Sequence, residues 1–174
     1  MENSLDAIQE HIEQNESVDD QVLSFVLGDE EYGVDILRVQ EIKGWEKTTA
    51  IPNSPAYVMG VINLRGSVVP IVDLRVRFGL ENVTYNDSTV VIIVRSEDNS
   101  GSQKIIGLVV DGVSDVYALN KSELQVAPEM SGTINTDYVN GLATVSDKML
   151  IVLHVDQLIN DGILASIKKA LNVE

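Results

Sequence analysis

Residues 33–42, GVDILRVQEI, decide the fold, because they return in altered form at residues 107–116 as GLVVDGVSDV. The two stretches share their first glycine, most of their apolar positions and an acidic residue near the end. Short β-branched runs of this kind, bounded by turn-forming residues, are typical of strands. The self-similarity predicts two diverged copies of one β module, with chance resemblance between β-rich segments as the alternative.

A second pair of matching segments lies further along each copy. Residues 57–60 (YVMG) correspond to residues 138–141 (YVNG), and each leads into a strand, a polar turn and an apolar strand ending in Asp-Leu or Asp-Gln-Leu. Because the order and the rough spacing agree, we expect internal repeats at about 22–80 and about 88–158. Together the repeats would form one domain.

The length of each copy limits its architecture. A copy has room for about five short strands, which are too few for a wide sandwich. We therefore expect the strands of each copy to close into a small barrel whose interior is filled by side chains. The expected fold class is mainly β, with two small five-stranded β-barrels of SH3 or OB type, pseudo-duplicated, and with strand exchange between them left open. Neither copy would bury much alone, so we expect an apolar seam and a partner-binding groove beside it.

The two ends of the chain differ from the β-rich middle. We expect a helix over residues 159–174, where apolar residues recur at helical spacing. Residues 1–20 hold seven acidic residues and no Lys or Arg, which predicts a flexible, solvated leader rather than a signal peptide. The alternative for this leader is a short amphipathic helix built on Leu5, Ile8 and Ile12.

The charge balance limits the kinds of partner. The 174 residues carry a formal net charge of -15, from 27 Asp and Glu against 12 Lys and Arg. Such a chain repels nucleic-acid phosphates and anionic lipid surfaces. Its apolar runs are also much shorter than the roughly 20 residues that a spanning helix needs. We therefore expect a cytoplasmic protein with no nucleic-acid partner and no direct membrane insertion.

Residue types that carry catalysis or bind metals are scarce. The absence of cysteine excludes disulfides, iron–sulfur clusters, thiolate zinc sites and cysteine nucleophiles. His11 lies in the leader and His154 in a predicted strand, and no nucleophile-elbow or phosphate-binding motif occurs. We expect no catalytic residue, no metal and no cofactor. The alternative from another class is a small hydrolase that uses Asp73 and Asp111 as a carboxylate pair, although Asp73 could instead cap the turn after its strand.

One basic residue is unusual among the turns of this acidic protein. Arg65 lies beside Gly66 at a predicted exposed bend, where its guanidinium could bind a partner's carboxylate through two hydrogen bonds. An internal salt bridge to Glu41 or Asp73 is an equal alternative from the residues alone.

The chain contains five distinctive blocks, which are residues 28–36, 39–42, 60–66, 69–75 and 109–116. In this order they closely resemble the CheW family of bacterial chemotaxis coupling proteins. Several long blocks in sequence are far more specific than a lone short motif. The resemblance extends over residues 22–158, whereas the loop at 96–103 is longer than usual for the family.

The resemblance implies a non-enzymatic adaptor. It would link the cytoplasmic tip of methyl-accepting chemoreceptors to the regulatory domain of the histidine kinase CheA in membrane-associated signalling arrays. By family analogy the receptor tip lies in the groove between the barrels, and the receptor-binding positions are Val39, Glu41, Gly60, Arg65 and Val116. Burial in the seam is the alternative for each, above all for Val39 and Val116, which we expect at nearly equivalent places in the two repeats.

The resemblance also implies a second contact surface. The kinase's regulatory domain is itself a similar double barrel in this family, so like modules can pack end to end into a mixed ring. Gln125, Glu129 and Met130, around Pro128, match a loop that the family uses for such contacts. Met130 could equally pack inward.

Overall fold

The computed structural model describes residues 5, 8–9, 21–98, 100–119, 121–126, 136–160 and 162–170. Strands dominate this part of the chain. Their bounds are β1 (Gln21–Leu27), β2 (Glu30–Asp35), β3 (Val39–Gly44), β4 (Val58–Leu64), β5 (Ser67–Asp73), β6 (Val90–Glu97), β7 (Gln103–Val110), β8 (Gly112–Ala118), β9 (Val139–Val145) and β10 (Lys148–Leu153). Helix α1 (Leu74–Arg77) follows β5, and helices α2 (Val155–Asn160) and α3 (Ile163–Ala170) follow β10.

The strands form two five-stranded sheets of equivalent topology. The first sheet has the order β8-β1-β2-β10-β9 and the second has the order β3-β6-β7-β5-β4. The two orders are equivalent if β1 corresponds to β6, β2 to β7, β3 to β8, β4 to β9 and β5 to β10. Each half of the chain therefore places its first two strands in one sheet and its last three in the other. The predicted mainly β, pseudo-duplicated fold is confirmed, and its strands are exchanged between the sheets.

The register agrees between the two halves at single residues. Gly33 of β2 pairs with Val152 of β10, and Gly107 of β7 pairs with Ile71 of β5, both in parallel. A Cβ on Gly107 would lie 2.5 Å from the Ile71 Cδ1, and one on Gly33 would lie 3.3 Å from the Leu150 Cδ2. The glycine shared by the two repeats is thus a packing requirement, because a neighbouring side chain fills the space above it.

Alternating side chains divide the core into layers. Along β6, the side chains of Val90, Ile92 and Val94 face a large cluster shared by both sheets, whereas Val91 and Ile93 face a cluster that belongs to the second sheet. The first sheet has a corresponding cluster of its own. Strand β6 is therefore buried on both faces along most of its length, which agrees with its continuous apolar run. The shared cluster is the apolar seam that the duplication predicts.

An isolated bridge ties the edges of each sheet. In the second sheet, Thr49 follows edge strand β3 and makes main-chain hydrogen bonds of 2.9 and 2.8 Å with Val61 of the other edge strand, β4. In the first sheet, Gln125 follows β8 and makes two bonds of 2.8 Å with Leu142 of β9. The bridges curve each sheet toward a barrel, although the edge strands themselves do not pair in the sheet order.

The leader contributes to the core at its described residues. Ile8 is 7% exposed and belongs to the shared cluster, with Leu5 packed against it. The Gln9 Oε1 accepts a hydrogen bond from the Ile42 N–H at 2.8 Å. At these residues the expectation of a solvated leader is wrong, because an apolar stripe binds the body of the protein. Ile12, the third residue of the expected stripe, lies outside the described residues.

The C-terminal helix is divided in two. Helical structure begins at Val155 rather than at residue 159, and Gly162, with a φ of 91°, separates α2 from α3. Ile163 and Ile167 of α3 are buried in the shared cluster, as their helical spacing indicates.

Candidate partner-binding surface

Arg65 lies at the tip of the β4–β5 hairpin. Leu64 pairs with Ser67, so Arg65 and Gly66 form a two-residue turn with φ values of 50° and 88°. Positive φ at both positions is typical of the type I′ turn, whose twist matches that of the strands. The Asn63 Oδ1 accepts a hydrogen bond from the Gly66 N–H at 2.9 Å and braces the turn. The Arg65 side chain is 68% exposed, on a backbone that an L residue adopts only at some cost.

Glu41 of β3 holds the Arg65 side chain. The Arg65 Nη2 donates a hydrogen bond to the Glu41 Oε1, and the Nη1 donates to the Oε2 at 3.4 Å. The Glu41 side chain is only 18% exposed. The side-chain hydrogen bond and the attraction of the Glu41 charge raise the pKa of Arg65. The structure thus selects Glu41, and not Asp73, as the partner that the sequence left open.

This ion pair joins opposite edges of one sheet. Glu41 is on β3 and Arg65 directly follows β4, and these two strands are the first and last of the second sheet. Their contact is feasible because the sheet curves, as the bridge between Thr49 and Val61 also shows. The pair therefore links the tip of the β4–β5 hairpin to strand β3 at the other edge of the same sheet.

Gly60 faces the chain's own backbone. Its φ is 131°, and a Cβ at Gly60 would lie 2.1 Å from the Thr49 carbonyl oxygen. Its counterpart Gly141 in β9 would place a Cβ 2.9 Å from the Gln125 carbonyl oxygen. Both glycines make room for the bridging segment of their sheet. The close approach to the Gly60 Cα is made by Thr49 of the same chain.

Val39 and Val116 differ in exposure and in position. Val39 is 2% exposed within the shared cluster, so its side chain is a core residue and is not accessible to a partner. Val116 is half-buried and packs against the same cluster. Strands β1 and β6 are equivalent, and Leu23 of β1 corresponds to Ile92 of β6. Leu23 pairs with Val116, whereas Ile92 pairs with Ile42. The expected equivalence of Val39 and Val116 is therefore wrong, since the ladders make Ile42 the counterpart of Val116.

The predicted kinase-side residues are only partly described. Gln125 is exposed while its main chain forms the bridge to Leu142. Val126, the next residue, is 93% exposed. Glu129 and Met130 lie outside the described residues.

The two carboxylates of the hydrolase alternative are bound by one arginine. Arg75 is 2% exposed and Asp73 is fully buried. The Arg75 Nε and Nη2 donate hydrogen bonds to the two Asp73 carboxylate oxygens at 3.0 and 2.9 Å, and the Nη1 donates to the Asp111 Oδ1 at 2.9 Å. Burial opposes the charge, but the bonds to Asp73 and Asp111 outweigh it and raise the pKa of Arg75. Because one guanidinium engages both carboxylates, this cluster is structural.

The same cluster fastens neighbouring loops. The Tyr85 hydroxyl donates a hydrogen bond to the Asp73 Oδ2 at 2.7 Å, and the Gly28 N–H donates to the Asp111 Oδ2 at 2.7 Å. Burial and then the bond to Asp73 raise the pKa of Tyr85 to about 12. Asp73 also caps α1 by accepting the Arg75 N–H at 3.0 Å, which is the capping alternative considered from the sequence.

The equivalent tyrosines of the two repeats flank a second arginine. The Arg77 guanidinium lies 5.2 Å from the ring centre of Tyr57 and 5.7 Å from that of Tyr138. Its Nη2 also bonds the Tyr138 hydroxyl at 3.0 Å. Sequence analysis paired the tyrosines and missed both arginines of α1. The available signal was the Leu-Arg-Val-Arg stretch directly after Asp73, which places cations beside a buried carboxylate.

His154 also serves the fold. The His154 Nδ1 accepts a hydrogen bond from the Gln157 N–H at 3.2 Å, at the start of α2. Across the described residues, no three His, Asp or Glu side chains gather as a metal site would need. None of the helices described here has the length and apolar character to cross a membrane. Fold and site together define a class of protein, which is a duplicated β scaffold whose buried charges hold its own loops.

Comparison with known proteins identifies the family. Residues 21–162 match the model of the CheW-like domain. The chemotaxis protein CheW of Klebsiella aerogenes is 46% identical over 83% of this chain and 84% of its own length. The probable chemotaxis protein CheW of Rhizobium etli is 35% identical over 82% of this chain and 89% of its own.

A solved structure agrees with this result. The scaffolding protein TtCheW from Thermoanaerobacter tengcongensis superposes with a TM-score of 0.71 at 32% identity, covering 84% of this chain and 91% of that chain. The chain belongs to the CheW family. It is a non-catalytic chemotaxis scaffold, so the hydrolase alternative is wrong.

Proposed function

We propose that this protein is the cytoplasmic adaptor that couples methyl-accepting chemoreceptors to the regulatory domain of the histidine kinase CheA in signalling arrays. The observation that carries the proposal is the pair of Arg65 and Glu41. An exposed cation on a braced hairpin, held from below by a largely buried carboxylate, can recognise an acidic group on a receptor tip.

Arg65 and Glu41 have different roles in this proposal. An arginine has five N–H donors in a planar fork, and Glu41 accepts hydrogen bonds through two nitrogens of that fork. Glu41 is therefore a positioning residue, whereas Arg65 makes the contact. Because the turn and the ion pair fix the guanidinium before binding, little side-chain freedom is lost on complex formation.

The apolar part of the receptor contact is assigned to Val116 and not to Val39. Val116 is half-buried on the edge strand β8 and already contacts the shared cluster. A helix that packs on this surface would complete its burial, in the manner of a helix in an apolar groove. Gly60 supports the site indirectly, because the absence of a side chain at Gly60 lets Thr49 form its bridge to Val61 in β4.

The kinase contact is assigned to the segment that begins at Gln125. Gln125 is exposed, and Val126 presents an apolar side chain that is 93% exposed. An exposed apolar residue beside an anchored bridge is a suitable docking point for a second double-barrel module. Glu129 and Met130 belong to this proposal by their place in the sequence.

An adaptor of this kind transmits a signal without any reaction of its own. The receptor state reaches the kinase only if the contacts of the adaptor differ in free energy between active and inactive assemblies. The buried tie of Arg75 to Asp73 and Asp111 joins β5, α1 and the β7–β8 turn. Because this cluster joins three elements, the scaffold can move as one stiff body when a partner binds.

The proposal is tested by kinase activation and by a charge exchange. Receptor membranes and CheA should show autophosphorylation that depends on this protein. Arg65→Glu should weaken receptor binding by about tenfold or more, since a charge-assisted contact becomes a like-charge contact. Lys47→Glu makes the same charge change at an exposed position and should leave binding unchanged.

The double variant Arg65→Glu with Glu41→Arg separates binding from structure. It restores an ion pair of reversed polarity and should fold normally by circular dichroism, yet it should not bind the receptor because the cation is no longer at position 65. Full binding by the double variant would show that the pair is only structural, and unchanged binding by Arg65→Glu would remove Arg65 from the site.

A further inference from the structure

Residues of the first sheet and of the segments that follow it line a cavity. Its volume is about 350 Å³, which lies within the range of small-molecule pockets. Val22, Leu119 and Val152 form an apolar wall and are buried. The other described residues that line the cavity, most of them polar, are Gln21, Asp35, Leu124, Asn140 and His154. A buried apolar wall with a few polar groups is the usual composition of a ligand site.

The strand registers identify the counterpart of this cavity in the second sheet. Gly33 corresponds to Gly107 and Gly141 corresponds to Gly60, so each lining residue has an equivalent position. In chain order from Gln21 to His154, the equivalent residues are Val90, Val91, Val109, Trp45, Thr48, Met59, Ile71 and Asp73. The two sheets can therefore be compared at this place residue by residue.

An aromatic ring fills the equivalent space in the second sheet. The ring of Tyr85 lies against that of Trp45, with 4.5 Å between the ring centres. The Tyr85 hydroxyl donates a hydrogen bond to the Asp73 Oδ2 at 2.7 Å and lies 2.8 Å from the Met59 sulfur. Tyr85 thus contacts three of the positions whose counterparts line the cavity.

The first sheet has smaller and more polar residues at these positions. Leu119 stands in place of an indole ring, and Asn140 stands in place of a methionine. Gln21 and Asp35 each stand in place of a valine. None of the described residues that line the cavity is aromatic. Compared with the second sheet, this lining therefore lacks a ring and gains hydrogen-bonding groups.

The charges around the cavity favour a cation. Asp35 supplies a carboxylate, and the described residues of the lining include no Lys or Arg. The Asp35 Oδ1 accepts a hydrogen bond from the Leu37 N–H at 2.9 Å, and a carboxylate can accept further bonds through its second oxygen. The net charge of -15 also attracts cations and repels anions. An ammonium group is therefore complementary to this lining.

We propose that this cavity is a binding site for a small aromatic amine. The ring of the ligand packs against the apolar wall, in the place that corresponds to the Tyr85 ring in the second sheet, and its ammonium group binds Asp35. Because the cavity belongs to the first sheet and Arg65 to the second, this inference does not depend on the proposed function.

Phenethylamine is the probe, and hydrocinnamate is its matched control. Both carry a phenyl ring on a two-carbon chain, which ends in an ammonium group in the first and in a carboxylate in the second. In calorimetric titrations of the full-length protein, phenethylamine should bind about tenfold or more tightly than hydrocinnamate, since only the amine complements Asp35. Equal binding would refute the selection of an amine, and no binding of phenethylamine would refute the site.

Filling the cavity locates the binding site. Leu119→Trp introduces the residue that the second sheet has at this position and should weaken phenethylamine binding about tenfold or more, because the ring can no longer be buried. Asn140→Met also copies the second sheet, at an exposed position, and keeps the test valid if Leu119→Trp fails to fold. Val68→Trp, at a position of the second sheet that is 68% exposed, should leave binding unchanged. Binding as tight as in the wild type by the folded cavity variants would place the amine elsewhere and refute the proposal.

A charge variant tests the role of Asp35. Asp35→Asn removes the charge, while the amide oxygen can still accept the Leu37 N–H. Phenethylamine should bind about three- to tenfold more weakly to Asp35→Asn. Asp29→Asn, at an exposed position outside the lining, should bind like the wild type. An equal loss in both variants would attribute the effect to net charge, and no loss in Asp35→Asn would refute the contact between Asp35 and the amine.

Discussion

Replacing Gly60 by alanine should destabilise the protein through two separate costs. The φ of 131° is a value that L residues rarely adopt, and holding one there costs roughly 1–3 kcal/mol. The new methyl group would meet the Thr49 carbonyl oxygen at 2.1 Å, so the bridge to Val61 must open. Its two hydrogen bonds contribute about 1 kcal/mol each, which brings the expected loss of unfolding free energy to roughly 3–5 kcal/mol.

Three other glycines separate these costs. Gly66 has a φ of 88° but nothing within 4 Å of a Cβ, so Gly66→Ala carries the backbone strain alone. Gly141→Ala meets the Gln125 carbonyl oxygen at 2.9 Å without a positive φ, and therefore carries the contact alone. Gly44→Ala carries neither. Stability should fall in the order Gly44→Ala, then the two intermediate variants, then Gly60→Ala.

Urea unfolding followed by circular dichroism measures this series, with thermal unfolding as a second probe. For a protein of this size each kcal/mol lowers the melting temperature by about 2–4 °C, so Gly60→Ala should melt roughly 6–20 °C lower than the wild type. If Gly60→Ala were as stable as Gly44→Ala and yet failed to bind the receptor, the internal role of Gly60 would be refuted. Direct receptor contact at Gly60 would then be the better explanation.

Two further predictions concern buried groups. Arg75→Met leaves the fully buried Asp73 without its cation, and should cost about 3–5 kcal/mol of unfolding free energy. Combining it with Asp73→Asn should regain part of this loss when both variants are measured by calorimetry. No regain would show that the charge pair is not the cause. Burial raises the pKa of Tyr32 and Tyr85 to about 12, above the value of about 10 for an unfolded tyrosine, so the stabilisation is complete below pH 10 and is lost as the pH rises to 12. The unfolding midpoint should fall over this range, more steeply in the wild type than in Tyr85→Phe, and parallel curves would contradict the assignment.

Much of the fold could be predicted because its signals are local in the chain. The repeated glycine at positions 33 and 107, the β-branched runs and the polar turns predict strands and a duplication without any knowledge of contacts. The same blocks identify the CheW family, which the comparisons confirm. Arg65 was also recognised as a turn cation, because an arginine beside glycine at a bend is unusual in so acidic a chain.

The sequence left questions of burial and pairing open. For Val39 both receptor contact and burial were open, and the ladder between β3 and β6 turns its side chain into the shared cluster. Gly60 is a receptor-binding position by family analogy, and Thr49 of the same chain fills the space that a Cβ at Gly60 would need. Ile8 was expected in solvent and is a core residue. In each case the deciding neighbour lies on a strand or segment that the local pattern does not specify.

A duplicated β scaffold of the CheW family follows from the sequence, because strand periodicity, turn-forming residues and repeats depend on residues close together in the chain. The tertiary structure alone decided that the strands are exchanged between sheets, that Arg65 pairs with Glu41 rather than Asp73, and that Arg75 binds both Asp73 and Asp111. The physical reason is that burial and ion pairing depend on which distant segments come together in space. Opposite edges of a curved sheet meet only once all of its strands are in place.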